Sequence, residues 1–144
     1  MANTLLEEIR NLTQKTIAPD GKEYESLSIE AVKKIARKKK ILGKVVEIAA
    51  LETGIIPERY QRNMGTVGIE GQIKLLRSRV VIAGAGGLGG TVTELLARIG
   101  VGNIIVADGD SFEDSNINRH LLCQERNIRQ SKSQAAVELS LIHI

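Results

Sequence analysis

The sequence predicts an α/β fold, a parallel strand–helix–strand unit preceded by a helical extension, and three features in one order predict it. A β-branched run, Val80-Val81-Ile82-Ala83, leads into the glycine loop Gly84-Ala85-Gly86-Gly87-Leu88-Gly89. A stretch of helical period follows to Ile99 and stops at Gly100. A second β-branched run, Ile104-Ile105-Val106-Ala107, ends at Asp108. Strand, helix and strand at this spacing form a Rossmann-like parallel βαβ unit.

Ahead of that unit the pattern is helical. Leu5, Leu6, Ile9, Leu12 and Ile17 recur at spacings that predict a helix over 4–17 with one apolar face, broken at Pro19-Asp20-Gly21. Ser28 is an N-cap for a helix through the basic cluster. Ile41, Leu42, Val45, Val46, Ile48, Ala49 and Leu51 continue the period to a stop at Gly54, as one helix or as two hinged at Gly43. Pro57 suits the first turn of a short helix, and 69–78 reads as another. The two β-branched runs lack polar alternation, which predicts strands covered by helices on both faces. On the intervening helix Leu88, Val92, Leu95, Leu96 and Ile99 are expected to face inward. A last helix is expected from Lys132 to Leu141.

Composition narrows the class. The chain has 144 residues, 42% hydrophobic and 26% charged, the balance of an ordinary globular protein. Aromatics are 2% with no Trp, so Leu, Ile, Val and Ala must build the core. No run approaches the ~18 apolar residues of a membrane span, and no secretory signal is visible, so the expected compartment is cytoplasmic. A single cysteine, Cys123, excludes an internal disulfide and a multi-cysteine zinc site. The net charge is +3, much of it from Lys33, Lys34, Arg37, Lys38, Lys39 and Lys40. That cluster reads as the solvated face of a helix whose buried stripe is Ile29, Val32, Ile35 and Ala36. Binding to nucleic acid or anionic lipid is the alternative, and no nucleic-acid or membrane partner is expected.

The loop and its surroundings carry the chemistry. Gly84 allows the tight turn, Gly86 lets backbone amides approach phosphate, and Gly89 lets the helix pack closely on the strand. The helix N-terminus offers unpaired N–H groups and partial positive charge to phosphates. Asp108, at the second strand end, can accept hydrogen bonds from ribose hydroxyls. To this point NAD and ATP are equally served. Ser115-Asn116-Ile117-Asn118-Arg119 favours ATP, because Arg119 supplies a fork of donors, Asn116 a neutral donor and Lys132 a mobile charge for a polyphosphate. Asp110 and Glu113 read as solvated loop acids, with metal ligation the alternative, and Glu94 and Arg98 as an exposed i,i+4 pair.

These residues resemble the ThiF/MoeB/HesA family of adenylyltransferases, related to ubiquitin-activating enzymes. The matching stretches are Arg59-Tyr60-Gln61-Arg62-Asn63, Gly71-Gln72-Ile73-Lys74-Leu75, Ser78 to Gly89, Leu96 to Gly102, Asp108-Gly109-Asp110, Ser115 to Arg119 and Gln130-Ser131-Lys132. The resemblance implies a dimeric enzyme that uses ATP and Mg2+ to convert the C-terminal carboxylate of a ubiquitin-like sulfur-carrier protein into an acyl-adenylate; the alternatives are the NAD-binding domain of an oxidoreductase and a non-catalytic dimerising or carrier-binding module. It assigns Gly86 and Gly87 to the phosphates and Asp108 to the ribose. Asn116, Arg119 and Lys132 would hold phosphates and stabilise transition-state charge, and Arg62 would reach across a homodimer interface to the partner's ATP. Residues 1–56 are then a helical N-terminal extension. Residues 57–144 are the N-terminal part of an incomplete adenylation domain, with the magnesium ligand, and any zinc-binding cysteines, expected beyond residue 144.

Four departures from the family pattern stand out. Arg129 occupies a position usually held by glycine, and His120 one usually held by glutamine. Cys123 precedes the region where relatives carry a reactive cysteine and reads as a small apolar residue. The ending Leu139-Ser140-Leu141-Ile142-His143-Ile144 also differs, so a truncated or frame-shifted reading frame with partial or no activity is expected, leaving the sheet edge and the inner helix faces uncovered. The pathway served is not encoded in these residues.

Overall fold

The computed structural model describes residues 2–18 and 20–143, the side chains of 2, 3 and 139–143 excepted. Pro19 and Ile144, together with the side chains of the divergent ending, lie outside the described residues. The chain forms two compact units, Met1–Leu76 and Arg77–Ile144. Residues 57–76 therefore pack with the N-terminal unit, although the family resemblance begins at Pro57.

The N-terminal unit is mixed rather than helical. Helix α1 covers Ala2–Leu12, and the expected continuation to Ile17 is instead strand β1, Gln14–Ile17. Strand β2, Glu23–Leu27, returns antiparallel to it, with Gly21 at φ 82° in the turn. Two local causes end the helix. The Thr13 hydroxyl donates to the Ile9 carbonyl, and Thr16 and Ile17 are β-branched residues that fit a pleated strand better than a helix. Ile17 faces solvent, 70% exposed, so it was never part of the buried stripe.

Helix α2, Ile29–Lys39, starts where expected, because Ser28 Oγ accepts from Ala31 N–H at 3.2 Å. It ends with Lys40 in the left-handed region, and helix α3, Gly43–Glu52, begins separately. The hinged alternative at Gly43 is the observed one. The buried stripe of α2 is Ala31, Val32 and Ile35, with the basic residues on its outer side. Lys38 and Lys39 both pair with Glu8 of α1 at 3.0 Å. Ile9, Leu27, Val32, Ile35, Val46, Ala50 and Ile55 form the core, each leucine, isoleucine or valine side chain contributing about 1.5–3 kcal/mol of transfer free energy. Strand β3, Ile56–Pro57, pairs parallel with β2. A 3-10 helix at Glu58–Asn63 and helix α4, Gly68–Arg77, close a second cluster around Leu51, Tyr60 and Leu76.

The C-terminal unit contains the expected βαβ. Strand β4, Arg79–Ala83, pairs in parallel register with β5, Asn103–Ala107, and helix α5, Gly87–Ile99, connects them. Helix α6, Lys132–His143, packs beside α5 and on β5. Phe112, Leu122, Cys123, Ala135 and Ala136 form the core.

Two expectations fail here. The strands are not covered on both faces, since Val81 is 66% and Ile105 49% exposed. The inward side of α5 is Gly90, Thr93 and Ala97, whereas Leu88, Val92, Leu95 and Ile99 are exposed and Leu96 is half-buried. Small side chains let the helix approach its neighbours closely; at Gly90 an added Cβ would lie 3.1 Å from Leu122 Cγ. Among the described residues no helix is long and apolar enough to cross a membrane.

Candidate functional site

The site grows from the end of β4. Gly84, at φ 91°, turns the chain, and its N–H donates to the Ala107 carbonyl at 2.7 Å. The next amide, Ala85 N–H, donates to Asp108 Oδ2 at 2.6 Å, while Asp108 Oδ1 accepts from Asp110 N–H at 2.8 Å. The loop is thus tied to the end of β5 by consecutive hydrogen bonds. Helix α5 then starts with Gly86 as its cap and no side chain satisfying its first amides. Those N–H groups and the helix dipole remain available to an anion.

Gly89 explains the closeness of helix and loop. A Cβ there would sit 1.8 Å from the Gly84 carbonyl oxygen, which no side chain survives. Gly87 is also constrained, since its Cβ would lie 3.1 Å from the Arg119 carbonyl oxygen. A Cβ on Gly86 would meet the His120 ring at 3.8–3.9 Å. Arg119 and His120 therefore form one wall over the loop.

That wall is built by a 3-10 helix at Asp114–Asn116. Asn116, 7% exposed, accepts from Glu113 N–H through Oδ1 at 3.1 Å, and its carbonyl accepts from the amides of Arg119 and His120 at 3.1 and 2.9 Å. The Arg119 guanidinium bonds the Ser115 carbonyl and, at 3.1 Å, Asn118 Oδ1. Lys132 opens α6 and is buried; its Nζ sits 3.0 Å from Asp110 Oδ2. A cavity of about 510 Å³ is lined by Asp110, Ser111, Phe112, Glu113, Asn116, Arg129 and Lys132.

The electrostatics follow from these contacts. The Ala85 amide is the main cause holding the Asp108 carboxyl below its usual range, against the opposing effect of burial, with help from the Asp110 amide, Lys132 and His120. Asp108 is an anion near neutral pH, able to accept from hydroxyls beside its backbone donors. Burial, then Arg119 and Lys132, lowers the His120 pKa. Burial, then Asp114, raises that of Cys123, which sits among apolar neighbours and is a packed thiol rather than a nucleophile.

Gly84, Gly86, Gly87, Gly89, Asp108, Asn116, Arg119 and Lys132 thus share the C-terminal unit and join through the contacts above. Arg62 belongs to the N-terminal unit, on the 3-10 helix at Glu58–Asn63, and lines a separate cavity of about 510 Å³ with Lys22, Tyr24 and Gln61. Buried groups fix that helix. Ser26 Oγ donates to Glu58 Oε1 at 3.1 Å, Arg59 Nε lies 2.9 Å from Glu47 Oε1, and Asn63 Nδ2 donates to Gln72 Oε1 at 2.8 Å. Glu94 and Arg98 form the expected pair on α5, Arg98 Nε donating to Glu94 Oε1 at 2.8 Å.

Three features escaped the sequence reading. Asp110 is the counter-ion of Lys132, a role that the Asp-Gly-Asp triplet hints at only once Lys132 is known to be near. His120 packs on the glycines. Arg129 stands at φ 70°, which explains why glycine suits that position in the family pattern. Among the described residues no group of three or more His, Cys, Asp or Glu forms a metal cluster.

The ThiF family model matches residues 60–140, more than half the chain, and the chain belongs to the ThiF family. The adenylyltransferase and sulfurtransferase uba4 of Neosartorya fischeri is 43% identical over 83 residues, covering 56% of this chain and 17% of its own length. The SAMP-activating enzyme E1 of Haloferax volcanii is 43% identical over 81 residues, 55% of this chain and 30% of the relative. The chain thus spans less than a third of either relative. A crystal structure of Escherichia coli MccB with ATP superposes with a TM-score of 0.55 at 31% identity, covering 67% of this chain and 38% of MccB. Escherichia coli TcdA in complex with ATP shares the fold, with a TM-score of 0.58 at 24% identity over 60% of this chain and 35% of TcdA.

Proposed function

We propose that this chain supplies the nucleotide-binding elements of an ATP-dependent adenylyltransferase that activates the C-terminal carboxylate of a ubiquitin-like sulfur-carrier protein. One observation carries the reading. A helix N-terminus without a side-chain cap, an ionised Asp108 and the cationic Arg119 and Lys132 belong to one connected site. A dinucleotide site needs the first two; a reacting triphosphate needs all of them.

ATP supplies an electrophilic phosphorus and a pyrophosphate leaving group. The amides at the start of α5, with Gly86 and Gly87, hold phosphate oxygens; Asp108 accepts from the ribose. Asn116, Arg119 and Lys132 meet the charge that grows as the phosphorus–oxygen bond breaks. Catalysis is by position and electrostatics, with no side-chain nucleophile. The two glycines let the Arg119–His120 wall close on the loop, since a Cβ on Gly87 would press on the Arg119 carbonyl and one on Gly86 would meet the His120 ring. Mg2+ is a further requirement of the proposal. We assign the protein to the cytoplasm and Arg62 to the partner's site in a homodimer.

Calorimetric titration of the chain with ATP and with NAD tests the nucleotide. Selective ATP binding, lost in Asp108→Ala, is expected; selective NAD binding overturns the reading. Carrier-dependent ATP–pyrophosphate exchange in a full-length version tests the reaction, with Arg119→Ala and Lys132→Ala abolishing it. Mixing Arg62→Ala with Lys132→Ala restores partial exchange if arginine crosses between protomers, and no recovery removes Arg62 from that role.

A further inference from the structure

The imidazole of His120 stands where no assigned role explains it. Its Cε1–Nε2 edge faces Gly86, its Cδ2 faces Gly87, and its other side meets Phe112 edge-on at 6.2 Å between ring centroids. Nδ1 is buried and has no hydrogen-bond partner among the described residues. The residue as a whole is half-buried, so the ring is not enclosed on every side. A buried acceptor without a partner is tolerated better than a buried N–H without one. The neutral ring therefore carries its proton on Nε2, the nitrogen turned towards the loop. A second proton would have to sit on Nδ1, inside, with nothing to receive it.

We propose that His120 is a ligand-contacting residue of the glycine loop, a neutral imidazole whose Nε2–H donates to a phosphate oxygen held by the amides of α5. The inference rests on the nucleotide reading above and deepens it. The charged groups around the ring agree with a neutral donor. Arg119, on the same segment, and Lys132, from α6, disfavour a further positive charge, and Asp108, at the end of β5, opposes them more weakly. Cys123, whose amide donates to the His120 carbonyl, is held as a neutral thiol by burial. Phosphate binding through a neutral donor adds hydrogen-bond direction without adding charge to a site already carrying two cations.

The test is ATP titration of the wild type, His120→Gln and His120→Ala, with nitrogen-detected NMR of the two histidines. A glutamine amide preserves a neutral donor of similar reach. His120→Gln is expected to bind ATP within about threefold of the wild type, and His120→Ala to lose about tenfold, the scale of one neutral hydrogen bond. In the wild type the Nε2 resonance of His120 should shift on adding ATP while keeping the neutral tautomer. Unchanged affinity in His120→Ala overturns the proposal, as does a wild-type affinity that rises on acidification from pH 7.5 to 6 but not in His120→Gln. A wild type that binds no ATP overturns the nucleotide reading itself, so the two failures are distinct.

Discussion

Lys132 and Asp110 are joined twice: Nζ lies 3.0 Å from Oδ2, and the Lys132 amide donates to the Asp110 carbonyl at 3.0 Å. The pair is lopsided, with the Lys132 side chain 10% exposed and that of Asp110 76%. The ammonium assigned to phosphate is therefore held by an aspartate that water can solvate if the lysine leaves.

Replacing Asp110 by Asn should free that ammonium and remove a negative charge from the phosphate path. ATP affinity is expected to rise severalfold, read by calorimetry. The stability cost should stay within about 1 kcal/mol, because the aspartate is largely exposed. Weaker ATP binding would show that Asp110 assists the ligand rather than competing with it.

Arg129 holds φ 70°, where a side chain costs about 1–2 kcal/mol. Glycine removes that strain but adds freedom to the unfolded chain. Arg129→Gly should therefore stabilise the protein by a net ~0.5–1 kcal/mol in urea unfolding. A loss of stability would mean that the Arg129 side chain earns its strained position through packing.

Gly89 and Gly109 offer a matched comparison. An added Cβ at Gly89 meets the Gly84 carbonyl oxygen at 1.8 Å, while at Gly109 it meets nothing within 4 Å. Gly89→Ala should displace the loop, abolish ATP binding and cost more than about 3 kcal/mol, whereas Gly109→Ala should change stability by under about 0.5 kcal/mol. Similar behaviour of the two variants in thermal unfolding and ATP titration would contradict the close helix–loop approach.

Glu47 titrates near neutrality. Burial raises its pKa from 4.5 to about 7, and Arg59 only partly offsets this, being near Oε1 without the alignment of a hydrogen bond. The folded state thus binds a proton more tightly than the unfolded chain. Its contribution to stability is full below pH 4.5 and is lost as pH rises through 7, a fall of order 3 kcal/mol at most. Glu47→Gln should flatten the profile between those limits in chemical unfolding; an unaltered slope would assign it to other groups.

Much of the C-terminal unit was legible because its signals are local. β-branched runs, a glycine loop and an acid at a strand end specify backbone and chemistry within about thirty residues of each other. The orientation of α5 was not legible in the same way. Its leucines and valines make a convincing apolar stripe, yet Gly90, Thr93 and Ala97 are the buried side, because the partner surfaces require close approach. The β1–β2 hairpin was missed for a related reason. Ile17 extended an apparent helical period by one step of five residues, and pairing with β2 completes the strand that β-branched Thr16 and Ile17 favour locally.

By itself the sequence determined the βαβ unit, the glycine loop, the acid at the second strand end and the cations available to phosphate. Backbone preference and residue chemistry are properties of neighbours along the chain. Tertiary structure alone decided that Asp108 ties down the loop, that Asp110 holds Lys132, that His120 covers the glycines and that residues 57–76 join the N-terminal unit. Those relationships depend on which distant segments meet, and on α5 even the buried face was decided by its neighbours, against the hydrophobic period.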